Sequence, residues 1–428
     1  MEILILVLTF LILLSLGVPI AWSIGLSSVF TMLVSIPAMP AFTTVAQRMG
    51  TGLDSFSLLA IPLFILAGQI MNRGGIARRL IDFAKSLVGA LPGGLAHVNI
   101  MAAMLFGAIA GSAVAAASAI GGFMGKAMEK EGYDRDYAAA VNITSATTGL
   151  VIPPSNVLIV YSLASGGVSI AALFVAGYLP GILTGFMIML VAGVMAKRKG
   201  FPAGERSSLK EVFGTFLNAF FSLLLLVIVI GGIIAGIFTA TEASAVAVLY
   251  CLGLTFYYRE ISLKDLPDIF LSSAGTTAIV MLLIATSISM SWIMAYENIP
   301  QDITQLLLSI SDNKIVILII INMILLFVGV FMDITPAVLI FTPIFLPVVT
   351  ELGMDPTHFG IVMVLNLCVG LCTPPVGSVL FVGVGVAETT IQKVIRPIMP
   401  MFIAMLISLL AVTFIPGLSL WLPALFGL

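Results

Sequence analysis

The chain has 428 residues, 60% of them hydrophobic and 9% charged, with a formal net charge of −2. Its mean hydropathy is +1.21. That composition excludes a water-soluble globule, which would lack polar side chains to cover its surface, and the charge gives no case for a nucleic-acid partner. Apolar runs of about twenty residues, the length that crosses ~30 Å of hydrocarbon, recur from end to end. They predict an all-α polytopic membrane protein; a β-barrel would show alternating segments of ~10 residues instead.

Residues 1–40 open with an apolar stretch that lacks a basic leader and runs on past Pro19. It reads as membrane-embedded and retained rather than as a signal peptide, and the break at Gly17-Val18-Pro19 predicts two segments. Basic residues then fall in five clusters: Arg73/Arg78/Arg79/Lys85, Lys126/Lys130/Arg135, Lys197/Arg198/Lys199/Arg206/Lys210, Arg259/Lys264 and Lys393/Arg396, leaving Arg48 and Lys314 apart. Loops rich in Lys and Arg stay in the cytoplasm, and one path puts all five clusters there. Residues 94–109 and 113–128 form a hairpin around Ala110-Gly111-Ser112-Ala113, because a single crossing would separate the clusters that flank it. Residues 137–163 cross outward, 168–196 return, 215–238 go out, 241–258 return and 270–295 go out. Residues 296–312 carry Glu297, Asp302 and Asp312 without Lys or Arg, as an external loop should.

Residues 314–350 are a second apolar pair with a polar centre at 329–336, followed by an acidic loop with Glu351 and Asp355. They read as a re-entrant hairpin entering from the opposite face. Residues 359–387 then cross inward and 397–421 outward. Amphipathic stretches at 73–91 and 301–311 lie beside the hairpins as interfacial connectors. The expected organisation is scaffold and connector (1–93), first transport repeat (94–196), scaffold helices and second connector (197–313), second transport repeat (314–396) and a C-terminal helix (397–428). Cys251, Cys368 and Cys372 sit in apolar surroundings and read as packing residues, without a disulfide or metal framework.

Aligning 132–170 with 353–391, at a constant offset of 221, makes eight of 39 positions identical. They include Asp134/Asp355 and the core Gly149-Leu150-x-x-Pro153-Pro154 against Gly370-Leu371-x-x-Pro374-Pro375. The charge path gives the two copies opposite orientation. Inverted repeats with broken helices near the midplane are a transporter architecture. Two prolines in mid-span remove backbone donors, and the residue before the first is pushed to extended geometry, so each helix must unwind. The freed carbonyls suit a hard cation such as Na⁺. The half-helix that restarts at Ser155-Asn156, or after Gly377, offers free N–H groups to a carboxylate. Thr373 adds a hydroxyl. Ser112 at the first hairpin tip, and Asp333 with Thr335 at the second, complete the constellations. An acid at membrane depth is costly and usually functional, although Asp333 is also a fair helix cap. Ser145, Thr147, Thr148, Glu242 and Glu388 fit structural roles.

The segments LSLGVPIAWSIG, AIPLFILAGQIMNRGG, PGGLAHVNIMAAMLFGAIAGSAVAA, VIPPSN and CTPPVGSVLF together resemble the large membrane (M) subunit of tripartite ATP-independent periplasmic (TRAP) transporters, over essentially the whole chain. The resemblance implies an elevator-type, Na⁺-coupled importer in the bacterial inner membrane, in which a domain carrying both hairpins slides against a scaffold. It implies two protein partners: a periplasmic substrate-binding protein (P subunit) that captures an organic acid, commonly sialic acid or a C4-dicarboxylate, and a small four-helix membrane (Q) subunit, expected as a separate chain. Likeness to the sialic-acid members tilts the substrate that way. The resemblance also implies one sodium site at Ser112, Gly149, Ile152 and Pro154, and a second at Gly329, Thr335, Gly370, Thr373 and Pro375. Ala110 stands where some members have serine. Substrate contacts are expected from Ser155, Asn156, Asp333 and Gly377. A membrane enzyme is disfavoured, since no HExxH, GxGD pair or Ser/His dyad is present and His97 and His358 fall near opposite faces. The remaining alternative is a stand-alone Na⁺-coupled di- or tricarboxylate carrier.

Overall fold

The computed structural model describes residues 2–204, 206–311 and 313–428; Met1, Glu205 and the expected external acid Asp312 lie outside the described residues. Secondary structure among them is helical. The chain opens with α1 (Glu2–Ser15) and α2 (Ile20–Ser35), the expected pair separated at Gly17–Pro19. Next come α3 (Ala38–Leu53), α4 (Ala60–Arg73) and the amphipathic connector α5 (Ile76–Val88). The first hairpin is α6 (Gly94–Ala110) and α7 (Ala113–Lys130). A broken helix follows as α8 (Arg135–Ala146), α9 (Thr148–Val151) and α10 (Asn156–Ala164), bent by 51° at its break. Then come α11 (Ile170–Lys199), α12 (Leu209–Ile234), α13 (Ala240–Tyr257) and α14 (Leu266–Tyr296).

The second half repeats this order. A connector α15 (Ile299–Ile310) precedes a hairpin, α16 (Lys314–Phe331) and α17 (Ile334–Glu351). A second broken helix follows as α18 (Pro356–Gly370) and α19 (Ser378–Val386), then α20 (Ile391–Phe414) and α21 (Gly417–Leu425). Matching devices start the matching helices. Asp134 caps α8 through the N–H groups of Asp136 and Tyr137 at 2.8 and 3.1 Å, and Asp355 caps α18 through those of Thr357 and His358 at 2.7 and 3.2 Å. Each such cap is worth about 1 kcal/mol. Capping boxes start α12 (Ser208 with Glu211) and α13 (Thr239 with Glu242), so Glu242 has the structural role its position suggested.

Eight helices are long and apolar enough to cross a membrane, counted among the described residues. They include α16 and α17, of 18 residues each, so the arms of the second hairpin have the length of short spans. Residues 397–421, expected as one crossing, instead belong to α20 and a short α21. Residues 38–53 and 60–73, which the charge path did not assign, are the helices α3 and α4.

Two sets of helices can be traced, which meet where α14 packs on α17, α5 on α6 and α4 on α6. α2 and α3 pack on α14, α4 on α13, and α12 on α13 and α5. The hairpin α6–α7 packs on α8, α9 and α11, while α16–α17 packs on α18. The two broken helices run antiparallel. Tyr161, near the end of the first, donates its hydroxyl to Pro356 O at 2.6 Å and packs against Gly360 at the start of the second. Ile143, in the last turn of α8, lies against Gly383 of α19, and its carbonyl accepts the Cys372 thiol at 3.3 Å. All three cysteines are buried and free.

Candidate ion and substrate site at two broken helices

Each hairpin meets its break through a pair of glycines. A Cβ on Gly107 would stand 2.7 Å from Gly149 Cα, and one on Gly370 would stand 2.7 Å from Gly329 Cα. Real Cβ atoms do not come that close, so the backbones of hairpin and break touch directly at these glycines. Gly107 was absent from the expected site; its signal was the near match to the repeat offset, since Gly329 lies 222 residues on.

At the first site the tip turns at Gly111, whose φ of 60° is the left-handed region natural to glycine. Ser112 then caps α7, its hydroxyl accepting the Ala115 N–H at 3.3 Å. Gly111 rests against the Asn156 side chain, and Gly68 of α4 lies under Ala110 O. Behind the break, Gly177, Gly181 and Gly185 of α11 make a ridge of spacing four. A Cβ on Gly177 would stand 2.2 Å from Val151 O. Ile152 is extended (φ −78°, ψ 126°) as a residue before proline should be, and the Pro153–Pro154 bond is cis. Pro154 borders a small void with Phe64 of α4 and Leu225 of α12. The hydroxyls of Ser145, Thr147 and Thr148 donate to carbonyls of their own helix and are committed there. Ser155 is fully buried, and neither its hydroxyl nor Asn156 Oδ1 has a partner. An unsatisfied buried polar group costs about 1–3 kcal/mol, so two of them at one break mark a place for a polar ligand or ion.

The second site is built alike but more open. Pro374–Pro375 is cis, and Pro375 and Val376 are exposed where Pro153 and Pro154 are buried. Gly377 takes a positive φ of 44°, and its N–H donates to Val330 O of the hairpin at 2.9 Å. Thr373 donates its hydroxyl to Val369 O at 2.8 Å, which leaves lone pairs on its oxygen. Thr335 is half-buried on the first turn of α17. Asp333 occupies the N-cap position of α17 yet makes no capping bond. Its exposed carboxylate instead accepts from Ser378 Oγ at 3.5 Å. Ser378 opens α19 as Asn156 opens α10, a correspondence hidden in sequence by one residue between the breaks.

Thus Ser112, Gly149, Ile152, Pro154, Ser155 and Asn156 gather at the first break, and Gly329, Asp333, Thr335, Gly370, Thr373, Pro375 and Gly377 at the second. Antiparallel crossing of the broken helices joins the two. Backbone and hydroxyl oxygens dominate both sets, which is donor chemistry for a hard monovalent cation.

Residues 7–418 match a protein family described as the tripartite ATP-independent periplasmic transporter, DctM component. Over 98% of its length the chain is 56% identical to the uncharacterized protein YgiK of Salmonella typhimurium, covering 96% of that protein. It is 39% identical to the sialic acid TRAP transporter large permease protein SiaM of Vibrio cholerae, across 94% of this chain and 95% of that one. It is 38% identical to the C4-dicarboxylate TRAP transporter large permease protein DctM of Rhodobacter capsulatus, across 96% of each. In fold it is similar to the YdaH transporter of Alcanivorax borkumensis, with a TM-score of 0.65 at 13% identity, covering 90% of this chain and 88% of that one.

Proposed function

Because the chain belongs to the DctM-component family of tripartite ATP-independent periplasmic transporters, whose members are membrane permeases and not enzymes, we propose that it is the large subunit of a Na⁺-coupled importer of an organic acid in a bacterial inner membrane. A periplasmic binding protein delivers the acid, and a small membrane subunit packs beside this chain. The observation that carries the reading is the pair of matched constellations, each a hairpin set glycine-to-glycine against a proline-broken helix, with Ser155 and Asn156 left without partners at the first. Sodium binds where tip and break meet: at Ser112, Gly149, Ile152 and Pro154, and at Gly329, Thr335, Gly370, Thr373 and Pro375. Ser155, Asn156, Asp333 and Gly377 contact the substrate, whose carboxylate meets the N–H groups opening α10 and α19.

The antiparallel broken helices support reading the halves as an inverted repeat, and the charge path gives the hairpins opposite entry faces. The two packing groups support an elevator, in which the hairpins and broken helices move together against α12–α14. Sialic acid and C4-dicarboxylates both fit, and identities of 39% and 38% to relatives named for each do not separate them. The test is uptake of labelled sialic acid and of succinate by vesicles holding this chain and its small subunit, with and without a periplasmic binding protein for each acid. Uptake that needs the binding protein is expected. Uptake by this chain alone at the same rate would favour a stand-alone carrier.

A further inference from the structure

A cavity of about 520 Å³ lies between the ends of α3 and α10 and the facing parts of α14 and α17. Its lining is mainly apolar, with Leu163 at the end of α10, Leu339 on α17 and Ile288 on α14, and polar groups come from Thr51 at the end of α3 and from Ser287, Ser291 and Trp292 on α14. Ser287 is 1% exposed and its hydroxyl has no partner. Its neighbour Thr286 donates back to its own helix at 3.0 Å, as such residues usually do. Arg48, less than one turn before Thr51, is exposed outside the lining and lies over the ring of the lining residue Trp292 at 5.3 Å. No Lys or Arg other than Arg48 occurs in residues 1–72 or 265–313. Among the described residues no ion pair is formed by Arg48. Asp54 follows the end of α3, and Glu297, which follows the end of α14, accepts the Ser35 hydroxyl. Inward, Leu339 stands six residues after Asp333 on α17, a rise of ~9 Å. Outward, a neighbouring cavity of about 540 Å³ continues past Pro343 and Pro347 to Glu351.

We propose that this cavity is an organic-anion subsite, the outer vestibule of the transport site, with Arg48 at its rim drawing in the substrate's carboxylate and Ser287 and Ser291 donating to it. The proposal rests on the transport reading and on its orientation, which places the ends of α10 and α17 outside. The Trp292 face holds the guanidinium while its N–H edge stays free for a carboxylate. The lining from α10 and α17 moves with the hairpins in that reading, so a captured anion would stand between fixed and moving parts, about one and a half turns from the second tip.

Charge-selective thiol labelling tests this without depending on uptake. The native cysteines are buried, so Ser291→Cys reports the cavity and Ser309→Cys, on the exposed face of α15, supplies the reference. Both would be labelled in intact cells carrying the full complex, with membrane-impermeant methanethiosulfonates bearing either a sulfonate or a trimethylammonium group. After normalisation to Ser309→Cys, the sulfonate should react about five-fold or more faster at Ser291→Cys, a ratio that Coulomb attraction at several ångströms supplies. Arg48→Gln should abolish the preference, and Arg48→Lys should keep it. Equal rates, or a preference that survives Arg48→Gln, would overturn the proposal. Labelling confined to the cytoplasmic side would overturn it through the orientation. Failure of Na⁺-driven uptake with the preference intact would count against the transport reading while upholding the charge of the cavity.

Discussion

Glycine pairs set how closely each hairpin approaches its break, and they differ in tolerance. A Cβ on Gly107 meets Gly149 Cα at 2.7 Å, whereas one on Gly329 meets Gly370 Cα at 3.1 Å. Gly107→Ala should therefore cost more than Gly329→Ala, about 1–3 kcal/mol for an overpacked backbone contact, read as the larger drop in thermal unfolding temperature of the purified protein. The tip residues separate by function as well. Ser112 spends its hydroxyl on a cap, so Ser112→Ala should lose about 1 kcal/mol and also raise the Na⁺ concentration needed for half-maximal uptake. Asp333 makes no capping bond, so Asp333→Ala should leave the unfolding temperature unchanged while impairing uptake. Loss of stability in Asp333→Ala with normal uptake would return that residue to a structural role.

At the scale of elements, the hairpins and breaks were legible because their signals are local. Paired prolines break a helix wherever they stand, and Gly111-Ser112 is a turn followed by a cap. Arms expected at 94–109 and 113–128 are the helices Gly94–Ala110 and Ala113–Lys130. The connectors expected at 73–91 and 301–311 are Ile76–Val88 and Ile299–Ile310, legible from their one-sided apolar faces. Less legible was whatever depends on a distant partner. The spacing of Gly177, Gly181 and Gly185 is visible in sequence, but nothing there says that Val151 and Ile152 lie against it. Small residues at four-residue spacing are the general means by which membrane helices approach closely, and here the ridge braces the first break from behind. Gly177→Ala should displace Val151 and lower both stability and Na⁺ affinity; an unchanged unfolding temperature and Na⁺ dependence would show that the break does not lean on α11. Likewise α3 carries polar residues through its length, which hides in sequence that it packs on α14.

At the scale of the molecule, the charge path and the antiparallel broken helices make one topological claim. Cysteines in the 197–210 loop and in α15 should react with an impermeant reagent from opposite sides of the membrane; labelling from one side would end the inverted-repeat account. The elevator makes a second claim. α4 packs on α13 and also touches the first hairpin tip through Gly68 and Ala110, so it lies where moving and fixed parts would slide. Crosslinking cysteines at positions 68 and 110 should stop uptake but leave Na⁺-dependent thermal stabilisation, with each single-cysteine form as control. Uptake at the control rate in fully crosslinked protein would favour local gating around a static site. Beneath both claims lies the proposed ion coupling, which two helix breaks with unpaired backbone oxygens would suit. The most direct measurement is uptake of the organic acid by vesicles reconstituted with the complete transporter, under an inward Na⁺ gradient and under an equal K⁺ gradient. Uptake should require Na⁺ and rise cooperatively with its concentration, and equal uptake with K⁺ in its place would contradict the account.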